Sequence, residues 1–287
     1  MSFGSTVALG ALAGFTIFLG LPVGRMRLLS TGARVGLAMF AVGILGFILV
    51  DVLSHATSMV EDALTRFHDH RGSFGHVFAL AALLAVGFTA GSAGIAVVER
   101  RLRRGGAARA PMAGGATASA LSVAEQEHLV EQSHAAARAA LRTGLVIASA
   151  IGLHNFAEGL AVGVSARAGE VSLATVLIIG FALHNATEGF GIVGPLGPVR
   201  PSWKWLGVAG VIGGGPTFLG SLVGYGVTSD PLELSFYALA GGAIFYVIIE
   251  ITNGVRRYGH RELGLLLLSA GFAAGVLTDL VVAYGGG

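Results

Sequence analysis

The chain has 287 residues, of which 54% are hydrophobic and only 12% charged, with a mean hydropathy of +0.77. A soluble globular chain carries about 25% charged residues, so this composition excludes an ordinary soluble enzyme and points to one membrane-embedded bundle. Cysteine is absent, which excludes disulfides and thiolate metal sites; the pI of about 9.3 does not indicate nucleic acid as a partner, because the basic residues stand in short loops beside apolar segments, where they signal orientation.

A helix needs about 20 mostly apolar residues to cross a bilayer. Eight segments qualify, at roughly 5–23, 35–55, 75–98, 143–165, 171–193, 205–228, 231–253 and 263–284. None shows the short alternating pattern of a membrane β-barrel, so the fold expected is all-α with eight transmembrane helices. Residues 1–98 would carry the first three, 99–142 one long loop, and 143–287 the other five, all in a single membrane domain. The glycine-rich spans permit close packing, and would also permit a homodimer.

Basic residues set the expected orientation. Arg25, Arg27 and Arg34 follow the first span. Arg100, Arg101, Arg103, Arg104, Arg109, Arg138 and Arg142 lie in the third loop, Arg200 and Lys204 in the fifth, and Arg256, Arg257 and Arg261 in the seventh. Odd-numbered loops thus hold fifteen of the eighteen basic residues, and only Arg66, Arg71 and Arg167 fall in even ones. The positive-inside rule then puts the odd loops in the cytoplasm and both termini outside. The first apolar run has its basic residues after it and none before, so a span is expected there and not a cleaved signal.

Two loops carry histidines. The external second loop, "EDALTRFHDHRGSFGH", holds His68, Asp69, His70 and His76, a weak gatherer of cations. The third loop opens as a flexible linker, "GGAARAPMAGGATASA". It continues from the capping box Ser122-x-x-Glu125 as a polar helix with His128 and His134 on a solvated face. The seventh span opens Asp230-Pro231-x-Glu233, where an acidic cap, a proline at the first helical position and an acid in the first turn need no chemical role.

The fourth and fifth spans repeat one pattern. "LHNFAEGLAVG" begins at Leu153 and "LHNATEGFGIVG" at Leu183. His154 and Glu158 are one helical turn apart and share a face that Asn155 flanks; His184, Asn185 and Glu188 reproduce the arrangement. Both sets fall near the middle of their spans, where a carboxylate costs at least ~2.5–3.5 kcal/mol and must face the bundle interior with a partner. Two carboxylates and two imidazoles form a donor set that a divalent cation satisfies. The short connection makes the two spans antiparallel neighbours, and matched polar positions in oppositely directed spans suggest an inverted repeat with a site at the repeat interface. Gly159, Gly163, Gly189 and Gly191 thin the same helices for close packing and sliding.

At these residues the sequence resembles the ZIP (Zrt/Irt-like) family of divalent metal transporters, by "HNFAEG" and "HNATEG", and in the seventh span by "GGAIFYVIIE", which ends at Glu250. The resemblance implies eight spans with both termini outside, a long cytoplasmic loop between spans three and four, and residence in a prokaryotic plasma (inner) membrane. It also implies uptake of Zn²⁺, or of Fe²⁺, Mn²⁺, Co²⁺ or Cd²⁺, toward the cytoplasm. By that resemblance His154, Glu158, His184 and Glu188 are the core ligands. Asn155 and Asn185 complete the site or serve an adjacent metal, and Glu250 lies on the exit path. Asp51 and His55, four apart near the outer end of span two, are read as a relay on the way in, and Asp279 as an interfacial residue. Many relatives have proline before the motif glutamate, where this chain has Ala157 and Thr187, so those kinks should be absent. In span six Gly215 precedes Pro216 where bacterial relatives often have glutamate, and Asn185 stands where some have Asp. Both changes favour one dominant metal position, with Thr217 offering a hydroxyl.

No G-x-x-x-x-G-K-[ST] stretch is present, so transport would run on ion gradients and not on ATP bound to this chain. An intramembrane metalloenzyme is the first alternative. The H-E-x-x-H of a zinc protease is absent, and a di-iron bundle uses Glu-x-x-His where this chain has His-x-x-x-Glu. A proton relay through the His–Glu pairs is the second.

Overall fold

The computed structural model describes residues 2–26, 29–104, 123–167, 169, 171–226 and 229–284; for 102–104, 123–129, 171–177, 282 and 283 it describes the backbone only. The described residues form ten α-helices and no strand. They are α1 (Phe3–Phe15), α2 (Ile17–Gly20), α3 (Thr31–His68), α4 (Phe74–Thr89), α5 (Ile95–Arg104), α6 (Val123–Arg167), α7 (Val171–Val193), α8 (Trp203–Gly224), α9 (Asp230–Arg256) and α10 (Arg261–Tyr284). Seven stretches among the described residues are long and apolar enough to cross a membrane: Phe3–Arg25, Thr31–His68, Phe74–Arg101, Val130–Arg167, Trp203–Gly224, Asp230–Arg256 and Arg261–Val281. The segment expected at 171–193 is the continuous helix α7.

Local chemistry explains most boundaries. Serine hydroxyls accept from the first free amides of α1, α3, α4 and α8: Ser2 from Ser5, Ser30 from Ala33, Ser73 from His76 and Ser202 from Trp205. In α9 the cap is Ser229, not Asp230, which begins the helix and places its charge with Glu233 in the first turn. The first apolar segment is broken at Thr16, whose hydroxyl bonds the Ala13 carbonyl and reaches across to the Ala182 carbonyl, each at 2.6 Å. Beyond it the chain tightens into a 3₁₀ turn at Leu21–Arg25, with Pro22 near its start. A π turn at Ala90–Gly94 joins α4 to α5.

Two helices run past their apolar stretches. α3 continues to His68, so much of the second loop is helical, and α6 begins at Val123, so the polar helix expected in the third loop is its first part. His134 is exposed on it. The linker at 105–120 and Ser122 lie outside the described residues, as do the side chains of Glu125 and His128.

The helices pack as two groups. α1, α2, α6, α7 and α8 form one, and α3, α4, α9 and α10 the other. α6 is central, with 67% of its most apolar window buried, while only 6% of that in Phe74–Arg101 is buried. Within each group backbone meets backbone through glycine. A Cβ on Gly159 would overlap the Thr217 carbonyl, one on Gly220 the Phe156 carbonyl, and one on Gly214 the Gly14 carbonyl. In the other group Gly43 lies against Leu268, Gly271 against Phe40, and Gly91 against Leu239. Between the groups the contacts are made by side chains, such as Phe156 on Phe236 at 5.0 Å between ring centroids and Ile251 against Gly191.

The first, fifth and seventh loops meet on one face. Arg25 donates to the Pro201 carbonyl, Arg34 to those of Met26 and Gly197, and Arg257 to that of Pro195. Gly197 turns there with φ of 57°.

Gly220→Ala in the α6–α8 seam is expected to lower the stability of the detergent-solubilised chain by about 1–3 kcal/mol through overpacking. Gly207→Ala on the same helix, with nothing within 4 Å of its added methyl, should be neutral or stabilising by up to about 1 kcal/mol. Thermal unfolding of the two variants checks the contrast.

Candidate metal centre

α6 and α7 run antiparallel and bring the two repeated motifs face to face. Both helices are continuous through them, consistent with Ala157 and Thr187 in place of proline. Pro216 in α8 leaves the Ile212 carbonyl without its helical donor. One residue on, the Gly213 carbonyl accepts from Asn155 Nδ2 at 3.0 Å. The same amide donates to Glu188 Oε2 at 3.0 Å, so Asn155 ties α6 to both α7 and α8.

The four charged ligands expected from the sequence come together. His154 Nε2 lies 3.0 Å from Glu158 Oε1 and 3.7 Å from Glu188 Oε1, and His184 Nδ1 lies 4.0 Å from Glu158 Oε1. The residues His154 and Asn155 are fully buried, Glu158 is 5% exposed and Glu188 1%. Beyond the contact of His154 Nε2 with Glu158 Oε1, much of this polar surface lacks a hydrogen-bond partner: His154 Nδ1, both ring nitrogens of His184, Glu158 Oε2, Glu188 Oε1, and Oδ1 of Asn155 and of Asn185. Buried polar groups ordinarily find partners, and seven unmatched donor or acceptor atoms on six neighbouring residues would be costly in a protein interior. Among the described residues no three His, Asp or Glu side chains are arranged so as to hold a metal ion; the present contacts are imidazole to carboxylate, with Glu158 Oε1 shared between two rings.

The two asparagines differ. Asn185 Nδ2 donates to the Ala13 carbonyl at 3.1 Å, beside the break at Thr16, and so bolts α7 to α1. Thr217 is fully buried on α8 with its hydroxyl oxygen unmatched.

A cavity of about 260 Å³ opens from the cluster. Glu158 and His184 line it, with Asp51 and His55 of α3. His55 Nδ1 lies 3.7 Å from Asp51 Oδ1, and the His55 ring stacks on Tyr237 at 5.9 Å. Two acids that sequence reasoning left without a chemical role also stand here. Asp279, expected at an interface, and Glu233, expected only as a helix-start residue, line the same cavity. An acid inside the apolar run of α10 was the signal for Asp279; the helix-start pattern masked Glu233. Glu250 is not brought to this cluster. It is half-buried on α9, seventeen residues beyond Glu233 and therefore about 25 Å along the helix.

Residues 1–273 match the family described as ZIP Zinc transporter. The chain is 29% identical over 136 residues to the zinc transporter ZupT of Clostridium perfringens, covering 46% of this chain and 47% of that protein. It is 28% identical over 130 residues to the zinc transporter ZIPB of Bordetella bronchiseptica, covering 44% of this chain and 42% of that protein. The matched stretch thus spans about half the length of either relative or less. With the family match running through nearly the whole chain and through both repeated motifs, this protein belongs to the ZIP zinc transporter family.

Proposed function

We propose that the chain carries divalent metal cations, zinc foremost, across the membrane into the cytoplasm without ATP hydrolysis. The ion would be held by His154, Glu158, His184 and Glu188, with the Oδ1 atoms of Asn155 and Asn185 at the margin. The observation that carries this reading is the set of buried, unmatched nitrogen and oxygen atoms on α6 and α7. A dication supplies the charge that two buried carboxylates lack and accepts lone pairs from both imidazoles. Zinc is the ion named for both relatives. The nitrogen and oxygen donors would also admit Fe²⁺, Mn²⁺, Co²⁺ or Cd²⁺.

In this reading α7 is the fifth span, which with the seven other stretches makes eight in a single membrane domain. The face where loops one, five and seven meet is cytoplasmic with the 99–142 connection, and both termini lie outside. The helix grouping suggests how access alternates. Glycine locks backbones together within each group, whereas side chains mediate the contact between groups. The group holding the cluster can therefore slide against α3, α4, α9 and α10 as a unit. Asp51 and His55 stand on the outer route, and Glu250 on the inner one. Thr217 offers its hydroxyl to a weaker neighbouring position, where asparagine in place of aspartate keeps the charge low.

Purified chain in liposomes is expected to admit Zn²⁺, and the Glu158→Ala/Glu188→Ala variant to fall to the rate of empty vesicles; unchanged uptake in the variant would contradict the assignment. Imidazole must be neutral to ligate, so affinity should fall as external pH drops, read as a rise in apparent KM. Without metal the buried carboxylates are destabilising. Glu158→Gln is therefore expected to raise the unfolding temperature in chelator and to reduce the further rise that Zn²⁺ gives to the native chain.

A further inference from the structure

We propose that the cavity where α9 turns into α10 binds the headgroup of an anionic phospholipid, its phosphate held by Arg256 and Arg261.

The site begins with a tight reversal. α9 ends at Arg256 and α10 begins at Arg261. Between them Gly259 and His260 take the left-handed backbone, with φ of 75° and 58°. That conformation is uncommon for a residue other than glycine. The His260 ring lies against Gly32 near the start of α3, where an added Cβ would come within 3.4 Å of it. The chain thereby folds back so that both arginines line one cavity of about 570 Å³. Val35 and Met39 of α3, both buried, line it from the side of the bundle. Such a volume falls in the range of small-ligand sites, about 300–1,000 Å³.

The arginines at this end of the bundle are of two kinds. Arg25, Arg34 and Arg257 are engaged by backbone carbonyls, and Arg25 and Arg257 also lie over the rings of Trp203 and Tyr258. Arg200, Arg256 and Arg261 make no hydrogen bond or ion pair among the described residues. These three line cavities. Arg256 and Arg261 stand on the one just described, and Arg200, with Arg34, on a neighbouring one of about 350 Å³. Val35 and Val255 line both spaces. Among the described residues neither cavity is lined by an Asp or a Glu; Glu262, next to Arg261, lies outside both. Positive charge is therefore gathered here without its counterpart, and an anion supplies it. Guanidinium groups match the paired oxygens of a phosphate.

Placement and walls identify where that phosphate comes from. The last residue of one apolar helix and the first residue of the next stand at the level of lipid headgroups. α10 is peripheral, with only 17% of its most apolar window buried. Leu265 lines the cavity and is 53% exposed, and Leu266 beside it is 66% exposed. An acyl chain would lie along these leucines while the phosphate enters between the arginines. A free phosphate would leave the apolar wall unused. A zwitterionic lipid carries its own cation and would gain less from the arginines, so net negative charge is what the site selects.

The test is titration of phosphatidylglycerol into the purified full chain in neutral detergent, with bound lipid counted by native mass spectrometry. Phosphatidylcholine and inorganic phosphate are the comparison ligands. The native chain is expected to hold phosphatidylglycerol about tenfold more tightly than phosphatidylcholine, and inorganic phosphate at the same concentration should not displace it. Arg256→Gln/Arg261→Gln should reduce phosphatidylglycerol to the affinity of phosphatidylcholine. Arg100→Gln/Arg101→Gln, which removes the same charge from exposed positions on α5, should leave it within about twofold. Equal affinity for the two lipids in the native chain would overturn the site. Equal weakening by both arginine pairs would also overturn it, because attraction to net charge alone would then account for the binding. Displacement by inorganic phosphate would overturn the lipid as the ligand. Should the Arg256→Gln/Arg261→Gln chain fail to elute as the native chain does, Arg261→Gln alone serves in its place. It is expected to weaken phosphatidylglycerol about fivefold, and unchanged binding there would overturn the site.

Discussion

Burial of two carboxylates and two imidazoles halfway along a pair of apolar helices is the constraint to which the rest of this chain answers. Such groups lose their hydration and gain only one another. In this protein the contacts they make are few: His154 touches both carboxylates, and His184 reaches one of them. Asn155 satisfies part of Glu188, and the remaining lone pairs face inward without donors. On the function proposed above, a cation would complete what the protein alone leaves open. Stability is given up locally for that purpose, as functional sites commonly do.

The packing around the cluster then holds it in register. α6 is central because its polar face must be covered on all sides. Glycine lets α8 approach α6 until backbones touch, so the cover includes the Gly213 carbonyl, which Asn155 uses. Thr16 and Asn185 stitch α1 to α7 through carbonyls near a helix break. These bonds fasten the ligand-bearing helices to their own group and leave the opposite group in contact through side chains. Fastened within and joined by side chains between, the groups would suit the alternating access proposed above. The acids of α3, α9 and α10 face the cluster across that boundary.

The spans and the paired motifs were legible because hydrophobic runs and i,i+4 spacing are local properties. His154, Glu158, His184 and Glu188 stood out by their cost in apolar surroundings, and the structure gathers them. What stayed hidden depended on distant partners. Nothing local shows that Asn185 spends its amide on Ala13, or that Thr16 breaks the first span by bonding Ala182. Glu233 satisfied a helix-start rule so well that its second setting, on a cavity wall, was invisible. The helical extension of α3 was missed for the opposite reason: hydropathy marks where a helix is greasy, not where its hydrogen bonding ends. Asp279 was detectable as an intramembrane acid, but only its neighbours across the cavity show what it faces.

The central claim is that the paired motif itself ligates the ion, and X-ray absorption at the zinc edge tests it most directly. For chain loaded with one tight equivalent of Zn²⁺, the account predicts a first shell of nitrogen and oxygen at about 2.0–2.2 Å with the outer-shell scattering of two imidazoles. That scattering should be halved in His184→Ala. A hydrated, imidazole-free spectrum in the native chain would contradict it, as would one unchanged by removal of His184.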